Sequence, residues 1–346
     1  MLEWLAMEFL GSHILSIDQF ERTDIEKIFT TSDSLVPYAK REKITRVLQG
    51  AILSNMFFEP STRTRISFGS AFNILGGEVR ETTGIEATSL AKGESLYDTA
   101  RVLSGYSDVI VMRHPASGSV SEFAQASRVP VINGGDGANE HPSQALLDLY
   151  TIRKELRHQG RNDIDGLRIA MIGDLKYGRT VHSLCKLLGL YRNIHLVLIS
   201  PDELRMPGEI VEALRMDGHT VVESDVMEAS LSNVDIAYST RIQEERFASK
   251  ADADLYRGRY RLNQSIYTRY CEPNTVIMHP LPRDSRQEAN ELDNDLNDNP
   301  NLAIFRQADN GVLVRMALFA MILDVVDQVD KSARDHLSRA SWLIMK

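Results

Sequence analysis

Apolar residues along this chain fall into short continuous runs, separated by stretches in which they recur every three or four positions. That alternation predicts buried strands interleaved with amphipathic helices. In the first half, Ala51 to Phe57, Val109 to Met112 and Val129 to Asn133 read as strands, with a further short one at Glu78 to Thr82. Ile25, Ile28 and Phe29 mark a helix whose start is predicted at a capping box of Thr23 and Glu26. Ile66, Phe68, Phe72 and Leu75 mark a second helix, which Gly76-Gly77 should end. Thr83 to Gly93 is polar and predicts a loop, and Gly134 to Gly137 forms a glycine-rich end to the third run. Ala145, Leu146, Leu149 and Ile152 lie in helical register on a segment that opens at His141 and runs to about His158, a bridge to the second half.

After the polar segment Gln159 to Gly166, five more runs follow: Leu167 to Ile172, Ile194 to Ile199, Thr220 to Val222, Val234 to Tyr238 and Thr275 to Met278. Helical stretches alternate with them. Asn290 to Asn301, rich in Asn and Asp, predicts a surface loop, and Met316 to Val329 a final apolar helix. Strands separated by helices specify parallel sheets, so the predicted fold class is α/β, with two doubly wound parallel-sheet domains joined by interdomain helices. The expected boundaries are 1–145 and 146–306, then a C-terminal helix at 307–330 and an extension at 331–346.

Composition narrows the functional classes. The 346 residues suffice for two domains of ordinary size, each with its own core. A net charge of −9 argues against general affinity for nucleic acid, so anionic substrates would need positive charge focused in a cleft. Cys185 and Cys271 have no partner cysteines or ligand spacing; neither a disulfide framework nor a metal site is expected, and a reducing cytoplasm fits. Met1 to Leu15 carries Glu3 and Glu8 where a signal peptide would be basic, and reads as a soluble extension. Met316 to Leu323, about the longest apolar run, is far short of a bilayer span, so no membrane partner is expected.

The chemistry concentrates in short motifs at the ends of the predicted strands, where open parallel sheets place their ligands. Phe58-Glu59-Pro60-Ser61-Thr62-Arg63-Thr64-Arg65 joins a strand to a helix. Pro60 suits a helix start, Ser61 and Thr62 are good caps, and the hydroxyls and arginines add donors to a helix end that already favours a phosphate. A lone Ser-Thr-Arg would be an ordinary cap, but the whole octapeptide resembles the carbamoyl-phosphate signature of the aspartate and ornithine transcarbamoylases. Further motifs carry the same resemblance in the same order: Met112-Arg113-His114-Pro115, His141-Pro142-Ser143-Gln144, Gly173-Asp174 with Gly178-Arg179-Thr180, Thr240-Arg241-Ile242-Gln243 with Glu245-Arg246, and His279-Pro280-Leu281-Pro282-Arg283. Gly173 and Gly178 do not form the three-glycine dinucleotide fingerprint, which counts against a nicotinamide cofactor; no cofactor is expected.

The resemblance implies a division of labour. Domain 1–145, with helix 307–330 packing back on it, would bind carbamoyl phosphate, and domain 146–306 would bind aspartate. Ser61, Thr62, Arg63 and Thr64 would bind carbamoyl phosphate, Thr64 as a donor to the charge that builds on the carbonyl oxygen, and Arg113 would contact both the phosphate and the carbonyl oxygen. His141 would donate to the carbonyl oxygen and Gln144 would bind the carbamoyl amine. Backbone carbonyls of the Leu281–Pro282 turn would face the attacking amine. Arg63, Thr64, Arg113 and His141 are the expected catalytic groups, since attack on a carbonyl builds charge on oxygen that fixed donors stabilise. Arg179 would take the α-carboxylate of aspartate, Arg241 and Gln243 its side-chain carboxylate, and Glu59 would pair with arginines of the second domain on closure. Ser89, rather than Thr88, and Lys92 would reach the site of a neighbouring subunit, with Lys92 serving both substrates, which implies a homotrimer with shared active sites. Regulatory chains and a dihydroorotase stay open as partners. Ornithine-using members carry His-Cys-Leu-Pro where this chain has Pro280, which favours aspartate. One departure stands out: members commonly place an adjacent acidic pair soon after the arginine, whereas this chain has Asp284, then Ser285-Arg286-Gln287 and Glu288.

Overall fold

The computed structural model describes residues 7–86, 88–137, 139–242, 256, 258–284, 286 and 289–335. The chain divides into two compact units, Met1–Ser143 with Gly311–Lys346, and Gln144–Asn310.

The first unit runs α1 (Arg22–Ser34), α2 (Val36–Ala39), β1 (Lys43–Ile44), β2 (Ile52–Phe57), α3 (Thr62–Ile74), β3 (Glu78–Thr83), α4 (Leu96–Leu103), β4 (Val109–His114), α5 (Ser119–Ala126) and β5 (Val131–Asp136). Four strands make a parallel sheet in the order β3-β2-β4-β5. Its inner strands β2 and β4 are buried over most of their length because both faces are covered, as all-parallel sheets require. On one face α4 and α5 bring Ala100, Val120 and Phe123 against Met56, Ile110, Met112 and Val131. Phe68 and Phe72 of α3 meet the Phe319 ring edge-on, at 5.9 and 4.9 Å.

In the second unit, after α6 (Pro142–His158), come β6 (Arg168–Ile172), α7 (Arg179–Leu188), β7 (His195–Ile199), α8 (Gly208–Met216), β8 (Thr220–Ser224), α9 (Met227–Ser230), β9 (Ile236–Ser239), α10 (Gln264–Tyr270) and β10 (Val276–Met278). Its parallel sheet has the order β10-β9-β6-β7-β8. The chain then enters α11 (Ile304–Ile322) and closes the described part with β11 (Arg334–Asp335), antiparallel to β1. The α/β fold class with two doubly wound parallel sheets is therefore as the sequence predicts. Among the described residues no helix is long and apolar enough to cross a membrane.

Several local expectations are corrected. The cap of α1 is Glu21 with Asp24, not Thr23 with Glu26: the buried Asp24 carboxylate accepts the N–H groups of Glu21 and Met7, both at 3.1 Å, and Thr23 lies inside the first turn. Strand β5 starts at Val131, because Pro130 has no N–H to give, and continues through the glycines to Asp136. The described part of Met1–Leu15 is tied to the first sheet. Ile14 is fully buried and bonds both neighbours of Ile132, its N–H to the Val131 carbonyl and its carbonyl to the Asn133 N–H, each at 2.8 Å. It thereby covers the outer edge of β5, the kind of exposed edge that sheets must blunt.

Asn290 to Asn301 is only partly a surface loop, since Leu292 and Leu296 are core residues packed with Leu262 and Ile277. Helix α11 starts earlier and stops sooner than expected. Asp324 at φ 53° takes the left-handed position, and Val325 N–H bonds the Ala320 carbonyl at 2.9 Å, a Schellman stop. The described part of the 331–346 extension carries β11 at Arg334–Asp335, which pairs with β1.

Candidate active site

The turn between β2 and α3 gathers donors of the kind that suit an anion. Ser61 is the N-cap, extended at φ −160°, but its hydroxyl makes no capping bond. The first-turn N–H groups, which no helix can satisfy internally, therefore keep company with the hydroxyls of Ser61 and Thr62 and with Arg63. Thr62 and Arg63 are exposed and Thr64 is buried at the base of the turn. Arg65 is not part of this donor set, contrary to the count from sequence. It pairs with Glu81 on β3, and Asn55 donates to both the Arg65 carbonyl and Glu81, at 3.0 and 3.2 Å.

Arg113 arrives from the adjacent strand. Phe57 lies opposite it in the sheet, and Phe58 N–H donates to its carbonyl at 2.9 Å. Its guanidinium is held on two sides, with Nε 2.9 Å from Glu59 and Nη1 3.5 Å from the Gly134 carbonyl. Glu59, assigned by resemblance to domain closure, thus holds an arginine of its own unit. The next residue, His114, packs edge-on against Phe58, and its Nδ1 accepts the Ala116 N–H at 3.1 Å. Burial lowers its pKa, so the ring is neutral near pH 7 and suited to accept.

His141, almost fully buried, is delivered by residues the sequence reading did not single out. Asp136 accepts from Gly118 N–H at 2.9 Å, and Gly137 N–H bonds the His114 carbonyl at 2.9 Å. Gly137 has φ +53°, and a Cβ there would stand 2.5 Å from Ser117 Oγ. Glu140 accepts from Ser16 Oγ at 3.0 Å and Ile17 N–H at 2.7 Å. The glycine run was visible in the sequence; the role of Glu140 was not, because its partners lie more than 120 residues away. Ser89 and Lys92 bound a short 3₁₀ turn and are both exposed, whereas the Thr88 hydroxyl is engaged by the Ile85 carbonyl at 2.7 Å.

The second unit gathers the acceptor-side candidates. Arg179 is the first residue of α7, just after β6, and Arg241 follows β9, the strand beside β6. Gly173 makes the approach possible: at φ +112°, a Cβ would lie 2.3 Å from the Thr240 carbonyl oxygen. Gly173→Ala is therefore expected to destabilise the protein, with the left-handed backbone alone costing ~1–3 kcal/mol, read as a lower denaturant midpoint. Asp174 is buried and accepts Tyr177 N–H at 2.9 Å, shaping the loop that leads to Arg179. Gln144 is nearly buried, with its amide nitrogen 2.9 Å from Asp148. The Leu281–Pro282 bond is cis. Gln243 lies outside the described residues. The acidic partner of this turn is Glu291: it lies 2.7 Å from His279 Nε2 and accepts Asp284 N–H at 3.2 and 3.3 Å. Asp284 is held below the usual carboxylate range, chiefly by its hydrogen bond to Arg286, with the charge of Arg241 adding to it.

Both clusters obey one topological rule. In the first sheet the chain goes from β2 to β3 on one side and then to β4 on the other; in the second it winds β6-β7-β8 one way before β9 returns beside β6. The crevice beyond the strand ends at such a reversal is where open α/β sheets take ligands. The Ser61–Thr64 turn and Arg113 mark one reversal, Arg179 and Arg241 the other.

Residues 12–154 match the family model for the carbamoyl-P binding domain of aspartate/ornithine carbamoyltransferases, and residues 165–322 match that family's Asp/Orn binding domain. The chain is 76% identical to the aspartate carbamoyltransferase catalytic subunit of Saccharophagus degradans over 95% of this chain and 97% of that one. It is 44% identical to that of Methanosarcina mazei, over 93% and 100%. Among solved structures, the aspartate transcarbamoylase of Trypanosoma cruzi in complex with carbamoyl phosphate and aspartate is similar at a TM-score of 0.83 and 37% identity, covering 93% of this chain and 100% of that chain. With both halves matched in order and a relative at 76% identity over nearly the whole chain, this chain belongs to the aspartate/ornithine carbamoyltransferase family.

Proposed function

We propose that the chain transfers the carbamoyl group of carbamoyl phosphate to the amine of L-aspartate, giving N-carbamoyl-L-aspartate and phosphate, an early step of de novo pyrimidine synthesis. The observation that carries the reading is that the chain holds both kinds of feature: a donor-rich turn at the reversal of the first sheet, and two arginines at the reversal of the second. Two cations suit a dicarboxylate acceptor and oppose the ammonium of ornithine.

The first unit is the carbamoyl-phosphate-binding domain and the second the aspartate-binding domain. Ser61, Thr62, Arg63 and the first-turn N–H groups hold the phosphate. Thr64, Arg113 and His141 donate to the carbonyl oxygen, Gln144 accepts from the carbamoyl NH₂, and the carbonyls of the Leu281–Pro282 turn accept from that NH₂ and from the attacking amine. Arg179 takes the α-carboxylate of aspartate, and Arg241 with Gln243 the other. The amine lone pair attacks the carbonyl carbon and a C–N bond forms. Negative charge moves onto the carbonyl oxygen, where the fixed donors meet it. The C–O bond to phosphate then breaks, and the departing phosphate takes the proton from the amine, so no separate base is required.

The enzyme works in the cytoplasm as a homotrimer, with Ser89 and Lys92 completing the site of a neighbouring subunit. Mixed trimers test this. Arg63→Ala and Lys92→Ala chains, each inactive alone, should regain activity when mixed, because some sites then hold both intact residues. No recovery in trimers shown by mass to be mixed would rule out sharing. The reaction itself is tested by a carbamoylation assay across amine acceptors; aspartate should be strongly preferred, and equal use of ornithine would overturn the reading.

A further inference from the structure

A single buried carboxylate ties four motifs of the second unit together. Asp148, one turn after Gln144 on α6, is fully buried. Its Oδ1 accepts the side-chain amides of Gln144 and Gln307, at 2.9 and 2.6 Å, and its Oδ2 accepts the Tyr238 hydroxyl at 2.6 Å. That hydroxyl is also bonded to the side chain of Thr180, next to Arg179. From Gln307 the bonds run on to the proline turn. Its Oε1 accepts His279 N–H at 3.0 Å, and His279 Nδ1 accepts Leu281 N–H at 2.8 Å, holding Leu281 at φ 55°. His279 Nε2 then faces the buried Glu291.

Donor counting fixes the direction of every bond. An ionised carboxylate only accepts, so both glutamine NH₂ groups must face Asp148. Gln307 thereby turns its oxygen to His279 N–H, and Gln144 presents its oxygen, not its nitrogen, away from Asp148. Because Nδ1 of His279 accepts, its Nε2 carries the proton and donates to Glu291.

We propose that Asp148 and Gln307 are positioning residues that make the site selective for a carbamoyl group over an acyl group of the same shape. They fix Gln144 Oε1 and the Leu281–Pro282 turn, from two ends of one relay, as acceptors for the carbamoyl NH₂. The inference rests on the reaction proposed above. A methyl group in place of NH₂ leaves those acceptors unanswered, the kind of mismatch by which buried polar groups discriminate most strongly. A flipped Gln144 would set donor against donor.

Asp148→Leu takes the acceptor away from both glutamine amides, so nothing then holds the Gln144 NH₂ turned away from the carbamoyl group. Carbamoyl phosphate should bind roughly tenfold more weakly, while inorganic phosphate, which has no NH₂, should inhibit within about twofold of wild type. The preference for carbamoyl over acetyl phosphate should fall by roughly the same tenfold. The double variant Asp148→Asn with Gln307→Glu separates positioning from folding. There the introduced amide NH₂ answers the introduced carboxylate and the amide oxygen keeps Tyr238, but Gln144 must then turn its own oxygen toward that NH₂. Thermal stability should recover while carbamoyl selectivity stays lost, and this holds as a test even if the single variant does not fold. Recovery of selectivity together with stability, or equal weakening of phosphate and carbamoyl phosphate, would overturn the proposal. Failure of the underlying reaction would look different: the wild-type protein itself would not distinguish carbamoyl from acetyl phosphate.

Discussion

Arg113→Ala is expected to lower kcat by about two to three powers of ten, the usual effect of deleting one fixed donor to a developing oxyanion. The size follows from how the group is held. Its side chain is only 11% exposed and is pinned by Glu59 at 2.9 Å, so its charge acts in a poorly solvated place and needs little reorganisation as charge builds. Alanine also leaves the Glu59 carboxylate without this partner, which adds negative charge where an anion must bind. Binding of carbamoyl phosphate should therefore weaken as well, so kcat/KM should fall further than kcat. Glu59→Gln should give a milder version, because Arg113 keeps its charge but loses its tether. Steady-state kinetics on variants with unchanged denaturant midpoints would check this. A kcat within about threefold of wild type for folded Arg113→Ala would remove this residue from the oxyanion site.

Arg241→Ala should raise the KM for aspartate by roughly one to two powers of ten, since losing a charged hydrogen-bond partner typically costs ~1.5–3 kcal/mol. Carbamoyl phosphate binding should stay near normal, because Arg241 follows β9 in the second unit while the phosphate turn follows β2 in the first. Arg63→Ala should do the reverse. Calorimetry of each substrate on each variant measures the crossed pattern directly, with an aspartate analogue added after the first substrate. Loss of carbamoyl phosphate binding in Arg241→Ala, with aspartate saturation unchanged, would mean that the two halves have been assigned the wrong way round.

Much of the site was legible because its residues are contiguous in sequence. Ser61 to Thr64 occupy a single turn, and a helix start after a strand turns its N–H groups outward whatever the rest of the chain does. Arg113 was readable as a strand-end residue and Arg179 as a residue opening the helix after a strand, for the same reason. Arg65 misled because a charge in a motif does not reveal whether a neighbouring strand will claim it; Glu81 lies on β3, and only the pairing of β2 with β3 brings them together. Among the described residues the proline turn meets a carboxylate that no local spacing points to: Glu291 reaches back to His279.

By itself the sequence determined the order of strands and helices, the fold class and the strand ends that hold the candidate residues. These follow from periodicity and turn chemistry, which act between residues near one another in the chain. Only the tertiary structure decided which strand ends lie side by side, since β2 neighbours β4 and β6 neighbours β9 through crossovers that no local pattern encodes. It also decided that Ile14 seals the edge of β5, that Glu140 is anchored by Ser16 and Ile17, and that Asp148 joins Gln144 to Gln307. The reason is common to all three. A buried polar group must find a partner, and when the partner lies more than a hundred residues away, packing rather than sequence spacing selects it.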